Sequence, residues 1–290
     1  MIFKGTATAL ITPFTEDDKV DEKALCNIVE HQIASGINAL VALGTTAEPA
    51  TLSEKEKKQI INLCVKQARG RVPVLVGAGS NSTAHAVESC RIAQECGADG
   101  LLIVTPYYNK CTQEGLVRHY GTIARSTSLP FICYNVPSRT GVNMLPETFA
   151  RICEENENAV GIKEASGNME QIEKCIALCP EKVISGDDAL TLPTMAMGGL
   201  GVISVASNVC PKFVSDMTRL ALEGDFEKAR KMQLALLPLI SSLFCEVNPI
   251  PIKKAMALKG YCTSKLRLPL TEMAEQNAEK LANILSAFRE

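Results

Sequence analysis

The sequence is poor in the residues on which several classes of binding protein depend. Its 290 residues include no tryptophan, and aromatic residues make up only 4%. That is too few for the platforms on which nucleic-acid bases stack. The net charge at pH 7 is −2, whereas proteins that bind nucleic acid or anionic membranes carry a basic surface. We therefore expect neither nucleic acid nor a membrane as a partner.

The chain also lacks segments that would take it to or across a membrane. No apolar run approaches the roughly 20 residues that a membrane-spanning helix requires. The first residues, MIFKGTATALITPF, have no basic lead-in and no small-residue cleavage site. We interpret them as containing the first strand rather than a signal peptide, and we expect a cytoplasmic protein.

Patterns typical of metal and cofactor sites are missing as well. The three histidines, His31, His85 and His119, are scattered, and the twelve cysteines include no C-x-x-C pair. Metal sites usually need closely spaced ligands, and cysteines without such spacing are usually small buried hydrophobes. No G-x-G-x-x-G motif follows a predicted strand. We expect no metal ion and no cofactor.

What the chain does have is a regular alternation of short apolar runs and helical patterns. Near-continuous hydrophobicity of this kind is typical of strands buried on both faces, as in a parallel sheet. Eight strands that alternate with helices favour a (β/α)8 TIM barrel, with an open doubly wound sheet as the alternative. The eight runs cover 6–11, 39–43, 72–78, 100–105, 129–136, 159–165, 183–186 and 200–205.

Helix start signals lie between these runs. An S-x-x-E sequence such as Ser53 to Glu56 predicts a capping box, and proline favours the first helical position. The other predicted starts are Asp21, Asn81 or Ser82, and Pro146. After residue 205 only helical patterns remain. We predict a barrel domain over 1–224 and a C-terminal helical domain over 225–290, packed on the barrel.

One charged residue stands out in the sixth run, AVGIKEASGN (159–168). Side chains alternate along a strand, so Gly161 and Lys163 share a face with Ala165, while Val160, Ile162 and Glu164 are predicted to face the helices. A lysine between two small residues on the inner face has space beside its amine. Desolvation favours the neutral, nucleophilic form of a buried amine, which can form a Schiff base with a carbonyl compound. A structural ion pair inside the barrel is the alternative that the pattern leaves open.

Polar and aromatic groups follow the other runs, at the barrel end where catalytic groups lie in this fold. They are GTTAE (44–48), PYYNK (106–110), Tyr134 with NVPSRTG (135–141), GDD (186–188) and SVAS (204–207). These segments predict the mouth of an active site. Within them, Asp187 and Asp188 are interpreted as solvated helix caps.

Seven motifs in order make the chain resemble the 4-hydroxy-tetrahydrodipicolinate synthases, also called dihydrodipicolinate synthases. They are GTTAEPATL, VTPYYNK, YNVPSRTG, GIKEASGN, SGDDA, GVISV and NPIPIK, and the resemblance runs from TATALITPF to LRLPL. It implies a lysine-dependent class I pyruvate aldolase on a (β/α)8 barrel with a C-terminal helical domain. The implied reaction condenses pyruvate with L-aspartate 4-semialdehyde, the first committed step of diaminopimelate and lysine synthesis.

The resemblance also implies a role for each matching residue. Lys163 matches the Schiff-base lysine and Tyr134 the general acid/base. A phenol is a weak base at neutral pH, and Thr45 and Tyr108 match its relay partners. In the family that second tyrosine comes from the neighbouring subunit, which implies a dimer and often a tetramer.

Substrate-binding roles follow in the same way. Thr46 matches the residue that holds the pyruvate carboxylate, with backbone groups of Gly186 and Ile203 contributing. Arg139 matches the group that binds the carboxylate of the semialdehyde, a task suited to a bidentate guanidinium.

The chain departs from the family pattern in two places. Ala47 stands where the family usually has glycine. If this position had a positive φ, an alanine would be strained there. In lysine-inhibited members the positions of His85 and Glu54 are typically Glu and His, and Pro49 replaces a small polar residue. We therefore expect inhibition by lysine to be weak or absent.

Two other functions compete with this interpretation. N-acetylneuraminate lyases and 2-keto-3-deoxy sugar acid aldolases share the lysine, the tyrosine and the threonine loop, but they lack the arginine that matches Arg139. A non-catalytic barrel that serves as a scaffold is the remaining alternative, since a fold alone does not prove activity.

Overall fold

The computed structural model describes residues 1–288 and contains a closed barrel of eight parallel strands. Strand order around the barrel follows the sequence, and β8 pairs with β1 to close it. The strands are β1 (Gly5–Ala9), β2 (Ala39–Ala42), β3 (Val74–Gly77), β4 (Gly100–Val104), β5 (Phe131–Asn135), β6 (Ala159–Glu164), β7 (Val183–Ser185) and β8 (Gly201–Ser204). All eight lie within or overlap the predicted runs, so the predicted barrel is confirmed and the open sheet is not.

Helices follow the strands and form the outer layer. They are α1 (Glu22–Ala34), α2 (Glu54–Ala68), α3 (Thr83–Glu95), α4 (Gln113–Ser126), α5 (Pro137–Thr140), α6 (Pro146–Glu155), α7 (Met169–Leu178), α8 (Thr191–Ala196), α9 (Pro211–Leu222), α10 (Phe226–Leu243), α11 (Ile250–Leu258) and α12 (Glu275–Ala287). Short 3₁₀ turns cover Thr45–Ala47, Pro49–Thr51, Asp188–Leu190 and Ala206–Asn208. The C-terminal helices α10, α11 and α12 pack on one another, and α10 also packs on α9.

Most of the predicted helix starts are confirmed by cap hydrogen bonds. Asp21 accepts a bond from the Ala24 amide, and Ser53 forms the predicted capping box with Glu56. The start of α3 is capped by Ser82, whose hydroxyl accepts from the His85 amide. Of the two residues predicted there, Ser82 is therefore the cap and Asn81 is not.

Buried apolar side chains form two separate clusters, one on each face of the barrel sheet. The larger cluster fills the space between strands and helices, and a smaller cluster fills the barrel interior. Ile162 belongs to the larger cluster as predicted, but Val160 packs against the interior cluster. The reason is a register shift between β5 and β6, in which Phe131 pairs with Ala159 and Ile132 with Gly161. The extra residue in β6 breaks strict alternation, so the predicted outward position of Val160 is wrong.

No helix within residues 1–288 combines the length and the apolar character needed to cross a membrane.

Candidate active site

The centre of the site is a pair of side chains on neighbouring strands. Tyr134 of β5 is in register with Lys163 of β6, so both side chains leave the sheet on the same face. Both are buried, at 6% and 5% exposure. The ammonium nitrogen Nζ of Lys163 lies 4.3 Å from the ring centroid of Tyr134. A phenol therefore lies directly beside a buried amine, within the barrel interior.

The amine of Lys163 has no acidic partner. Among residues 1–288, no carboxylate lies within 4.0 Å of its Nζ, and Glu164 points to the other face of β6. There the Glu164 carboxylate accepts hydrogen bonds from Asn135, Gln171 and the Ser166 amide. The structural ion pair that the sequence left open is therefore not formed, and the amine is available for chemistry.

Gly186 leaves room for the Lys163 side chain. A Cβ atom at position 186 would lie 3.0 Å from both Cγ and Cε of Lys163 and 2.6 Å from the Cβ of Ala165. A separation of 2.6 Å is too short for two carbon atoms, and 3.0 Å is tight, so a larger residue at position 186 would push against both Ala165 and Lys163. The amide of Gly186 donates to the Glu164 carbonyl at 2.7 Å, which ties the end of β7 to β6.

Ile203 faces the same interior from β8, two strands away from Lys163 in the barrel. It belongs to β8, pairs with Ala7 of β1 and is 1% exposed. Its side chain contributes to the interior apolar cluster that also contains Tyr134. The structure thus brings Lys163, Tyr134, Gly186 and Ile203 to one enclosed region.

A tight loop after β2 carries Thr45 and Thr46. These residues form a 3₁₀ turn with Ala47, and Thr46 is buried. Two residues of the loop have a positive φ, Leu43 at 54° and Glu48 at 57°, and Ala47 is not one of them. The alanine that departs from the family pattern is therefore accommodated without the strain that a left-handed conformation would impose.

Arg139 lies on the short helix α5, directly after the strand that carries Tyr134. Its Nη2 donates to the backbone carbonyl of Asn248 at 3.0 Å. The side chain of Asn248 in turn donates from Nδ2 to the Thr46 hydroxyl, also at 3.0 Å. Sequence reasoning did not identify Asn248, although it lies in the NPIPIK motif.

Tyr108 is not joined to the rest of the site within a single chain. It is 89% exposed, with a left-handed backbone at φ 74°. Among residues 1–288, no hydrogen bond links Tyr108, Thr45 and the Tyr134 hydroxyl. The predicted relay is therefore not assembled in the isolated chain.

The prediction for the two aspartates is half correct. Asp187 caps the 3₁₀ turn at Asp188–Leu190 by accepting from the Ala189 amide. Asp188 is buried rather than solvated, and its carboxylate accepts from the Ser204 hydroxyl and two following amides. Burial raises the pKa of Asp188, and these hydrogen bonds oppose that shift. The interpretation of Asp188 as a solvated cap is wrong, because its carboxylate fixes the backbone after β8.

Comparison with known proteins agrees with this geometry. The model of the dihydrodipicolinate synthetase family matches residues 2–288. A 4-hydroxy-tetrahydrodipicolinate synthase of Geobacter sulfurreducens is 49% identical over 290 residues, which is 99% of both chains.

Solved structures give the same result. Dihydrodipicolinate synthase of Aquifex aeolicus superposes with a TM-score of 0.96 at 46% identity, covering 98% of each chain. The enzyme of Acinetobacter baumannii, solved in complex with pyruvate, has a TM-score of 0.95 at 42% identity and covers 99% of this chain and 98% of its own. The chain belongs to the dihydrodipicolinate synthetase family, whose members are lyases of the class I aldolase type.

Proposed function

We propose that the chain is a 4-hydroxy-tetrahydrodipicolinate synthase that condenses pyruvate with L-aspartate 4-semialdehyde. The observation that carries this proposal is the buried amine of Lys163, which has no acidic partner and lies beside the phenol of Tyr134. A buried lysine without an ion pair is suited to attack a ketone and form a Schiff base.

The covalent steps follow from this pair. The Lys163 amine attacks the keto carbon of pyruvate, and loss of water leaves a protonated imine. Removal of a methyl proton converts the imine to an enamine, whose carbon attacks the aldehyde carbon of the semialdehyde. The amino group of the second substrate then adds to the imine carbon, which closes the ring and frees the lysine.

Proton transfer is the task of Tyr134. The phenol gives a proton to the departing hydroxyl during imine formation and to the aldehyde oxygen during carbon–carbon bond formation. Thr45 and Tyr108 complete a relay to it in this proposal. Because Tyr108 is 89% exposed in the single chain, it is available to reach the site of a second copy.

The two substrate carboxylates are held by different groups. Thr46, with backbone groups of Gly186 and Ile203, binds the carboxylate of pyruvate. Arg139 binds that of the semialdehyde through charged hydrogen bonds. Because the enamine of pyruvate must form on Lys163 before the aldehyde can react, pyruvate would bind before the semialdehyde.

The proposal also covers the oligomeric state, the domains and the location of the protein. A homodimer would complete each active site, and two dimers would form a tetramer. Residues 1–224 would form the catalytic barrel and residues 225–290 a helical domain. The protein would act in the cytoplasm.

Aldehyde preference tests this function against the sugar-acid aldolases. Purified protein is given pyruvate with either L-aspartate 4-semialdehyde or N-acetylmannosamine, and pyruvate consumption is measured. We expect turnover only with the semialdehyde, and an Arg139→Ala variant should raise its KM by about 10- to 100-fold through loss of charged hydrogen bonds. Turnover with the sugar alone would favour the lyase function, and no turnover with either aldehyde would contradict the synthase function.

A further inference from the structure

Two sequence motifs meet in space, and the side-chain contacts between them have no role in the chemistry described so far. The GTTAE motif after β2 supplies Thr46 and Glu48, and the NPIPIK motif before and within α11 supplies Asn248 and Lys253. Two side-chain contacts join them, from Asn248 to Thr46 and from Lys253 to Glu48. The C-terminal helical region therefore holds the loop on which the proposed pyruvate site depends.

The contact between Lys253 and Glu48 is a rigid anchor. Their charged atoms lie 2.6 Å apart, with side chains at 0% and 1% exposure. The Lys253 ammonium also donates to the Lys265 carbonyl, and the second Glu48 oxygen accepts from the Arg267 amide. A fully buried ion pair whose two partners are also bonded to neighbouring backbone groups fixes the relative position of the groups that carry it. The ion pair therefore fixes the position of Glu48 and of the 3₁₀ turn at Thr45–Ala47 that directly precedes it.

Asn248 acts on that turn directly. It is 6% exposed, and its Nδ2 donates to the Thr46 hydroxyl at 3.0 Å. Its Oδ1 is buried and has no partner among residues 1–288. A buried amide oxygen without a partner is costly, so packing alone gives no reason for an asparagine here. The hydrogen bond to Thr46 is the one interaction that the side chain makes within the described residues.

The direction of the hydrogen bond from Asn248 determines whether the Thr46 hydroxyl can donate to another group. A hydroxyl group has one proton and two acceptor lone pairs. Because the Asn248 amide donates to the Thr46 oxygen, the single Thr46 proton remains free to donate elsewhere. A hydroxyl that accepts from an amide while donating to a carboxylate is also a better donor, because hydrogen bonds in a chain strengthen one another.

We propose that Asn248 is a positioning residue for pyruvate, which directs the Thr46 hydroxyl proton toward the pyruvate carboxylate. The inference rests on the proposed function, in which Thr46 binds that carboxylate. The backbone carbonyl of Asn248 accepts a hydrogen bond from Arg139, and a change of the Asn248 side chain leaves that carbonyl in place. The side chain therefore controls the affinity for pyruvate, and the affinity for the aldehyde is controlled separately.

Two substitutions at this position separate hydrogen bonding from packing. Asn248→Ala removes the donor, and the pyruvate KM should rise about tenfold, as expected for one hydrogen bond in a charged network. Asn248→Asp has nearly the same shape but accepts the Thr46 proton and adds a negative charge. Its pyruvate KM should rise further, to about a hundredfold above wild type. In the Asn248→Ala variant kcat and the aldehyde KM should stay within about twofold of wild type, because the carbonyl that accepts from Arg139 belongs to the backbone.

A matched control is Asn156→Asp, which alters an equally buried asparagine whose amide donates to the Ile152 carbonyl. It should lower thermal stability without raising the pyruvate KM. A purely structural role for Asn248 predicts the opposite order, with the isosteric Asn248→Asp milder than Asn248→Ala. That order, or equal rises in both substrate KM values, overturns the proposal.

A double-substitution cycle with Thr46→Val keeps the test valid if Asn248→Asp does not fold. Thr46→Val alone should raise the pyruvate KM, and adding Asn248→Ala should raise it by no more than about twofold again. Independent, multiplied effects would show that Asn248 does not act through Thr46. If Thr46→Val leaves the pyruvate KM unchanged, the assigned role of Thr46 is wrong, and the positioning role fails with it while the Schiff-base chemistry stands.

Discussion

Two lysines of this chain are buried, and their surroundings differ in a way that separates structure from catalysis. Lys253 is 0% exposed and is bonded to the Glu48 carboxylate and the Lys265 carbonyl. Burial lowers the pKa of Lys253, and the Glu48 charge opposes that shift. Lys163 is similarly buried, and each amine lies over an aromatic ring, Tyr134 for Lys163 and Phe14 for Lys253. The difference is that no carboxylate among residues 1–288 lies within 4.0 Å of the Lys163 amine. The amine without a counter-charge is the one that can act as a nucleophile.

Gly186 is the residue at which the space for this amine can be tested. Gly186→Ala would place a Cβ atom 3.0 Å from the Lys163 side chain and 2.6 Å from Ala165. We expect kcat/KM for pyruvate to fall by about 100-fold, because small displacements of a reacting group are costly. Steady-state kinetics with varied pyruvate measures this directly.

The control is Gly121→Ala within α4, where the nearest heavy atom to an added Cβ is the flexible end of Arg125 at 3.4 Å. This variant should keep wild-type kinetics and be slightly more stable, since alanine favours helix. Wild-type kinetics for Gly186→Ala would show that the geometry around Lys163 is not limiting.

At the scale of elements, α3 and α4 are joined by a buried histidine. Nδ1 of His119 on α4 lies 2.9 Å from the Thr83 hydroxyl at the start of α3. The side chain is buried, and its Nε2 has no partner among residues 1–288. Burial lowers the pKa of His119 to about 4. Burial therefore disfavours the protonated form of this imidazole in the folded chain.

This shift predicts a pH-dependent stability. Above about pH 6.5 the imidazole is neutral in both folded and unfolded chains, and its contribution to stability is fully present. As the pH falls from 6.5 toward 4, the unfolded chain binds a proton that the folded chain does not, so stability is lost. At pH 5 the loss should be about 2 kcal/mol.

Urea unfolding at pH 7.5 and pH 5, at one fixed protein concentration, measures this loss. His119→Gln should lose about 2 kcal/mol less than wild type between these pH values. His85→Gln, which alters an exposed histidine on α3, should behave as wild type. An unchanged pH dependence in His119→Gln would contradict the assignment.

The elements themselves could be predicted because local patterns decide them. Continuous apolar runs predicted all eight strands, and cap residues such as Asp21 and Ser53 predicted where helices begin. Position-specific errors arose where tertiary contacts intervene. A register shift turned Val160 toward the interior, and hydrogen bonds to the end of β8 made Asp188 a buried acceptor. Neither the shift nor those bonds leaves a signal in local sequence.

The residues of the candidate site were predicted in two ways. Lys163 was found as a charge within a buried strand, and the other residues were found through the family resemblance. Asn248 was missed because it bonds to Thr46 across 202 residues of sequence. A helical segment far from the barrel strands gives no indication in its own pattern that it reaches their carboxyl ends.

At the scale of the whole molecule, the exposed Tyr108 predicts that active sites are shared between subunits. Lys163→Ala and Tyr108→Phe should each be nearly inactive alone. In a hybrid dimer, the site that keeps Lys163 would receive an intact tyrosine from the other subunit. Co-expressed in equal amounts, the two variants should therefore recover about a quarter of wild-type activity, by random pairing in a two-fold dimer.

The recovered activity is measured on tagged hybrids against each variant alone. If Tyr108 served its own subunit, no hybrid site would be complete and activity would stay at the level of the single variants. That result would contradict the shared site.

Weak inhibition by lysine is a second prediction at the scale of the assembly. His85 is exposed where inhibited relatives carry an acid, and Glu54 is already paired with Lys58 at 2.7 Å. The chain thus lacks a free carboxylate to hold the effector's amine at these positions. We predict half-inhibition by lysine only above about 1 mM, which corresponds to weak binding.

A titration of activity with lysine tests this prediction, with His85→Glu as the comparison. Restoring the acid should strengthen inhibition relative to wild type. Half-inhibition of the wild-type protein well below 1 mM would show that other residues hold the effector.

The most direct test of the central claim is reductive trapping of the Schiff base. The protein is treated with borohydride in the presence and absence of pyruvate, digested and mapped by mass spectrometry, with Lys163→Arg treated in parallel. The account predicts a pyruvate-dependent carboxyethyl adduct on Lys163, loss of activity, and no adduct on Lys253 or in the Lys163→Arg variant. Absence of the adduct, or its appearance on another lysine with Lys163 unmodified, would contradict the account.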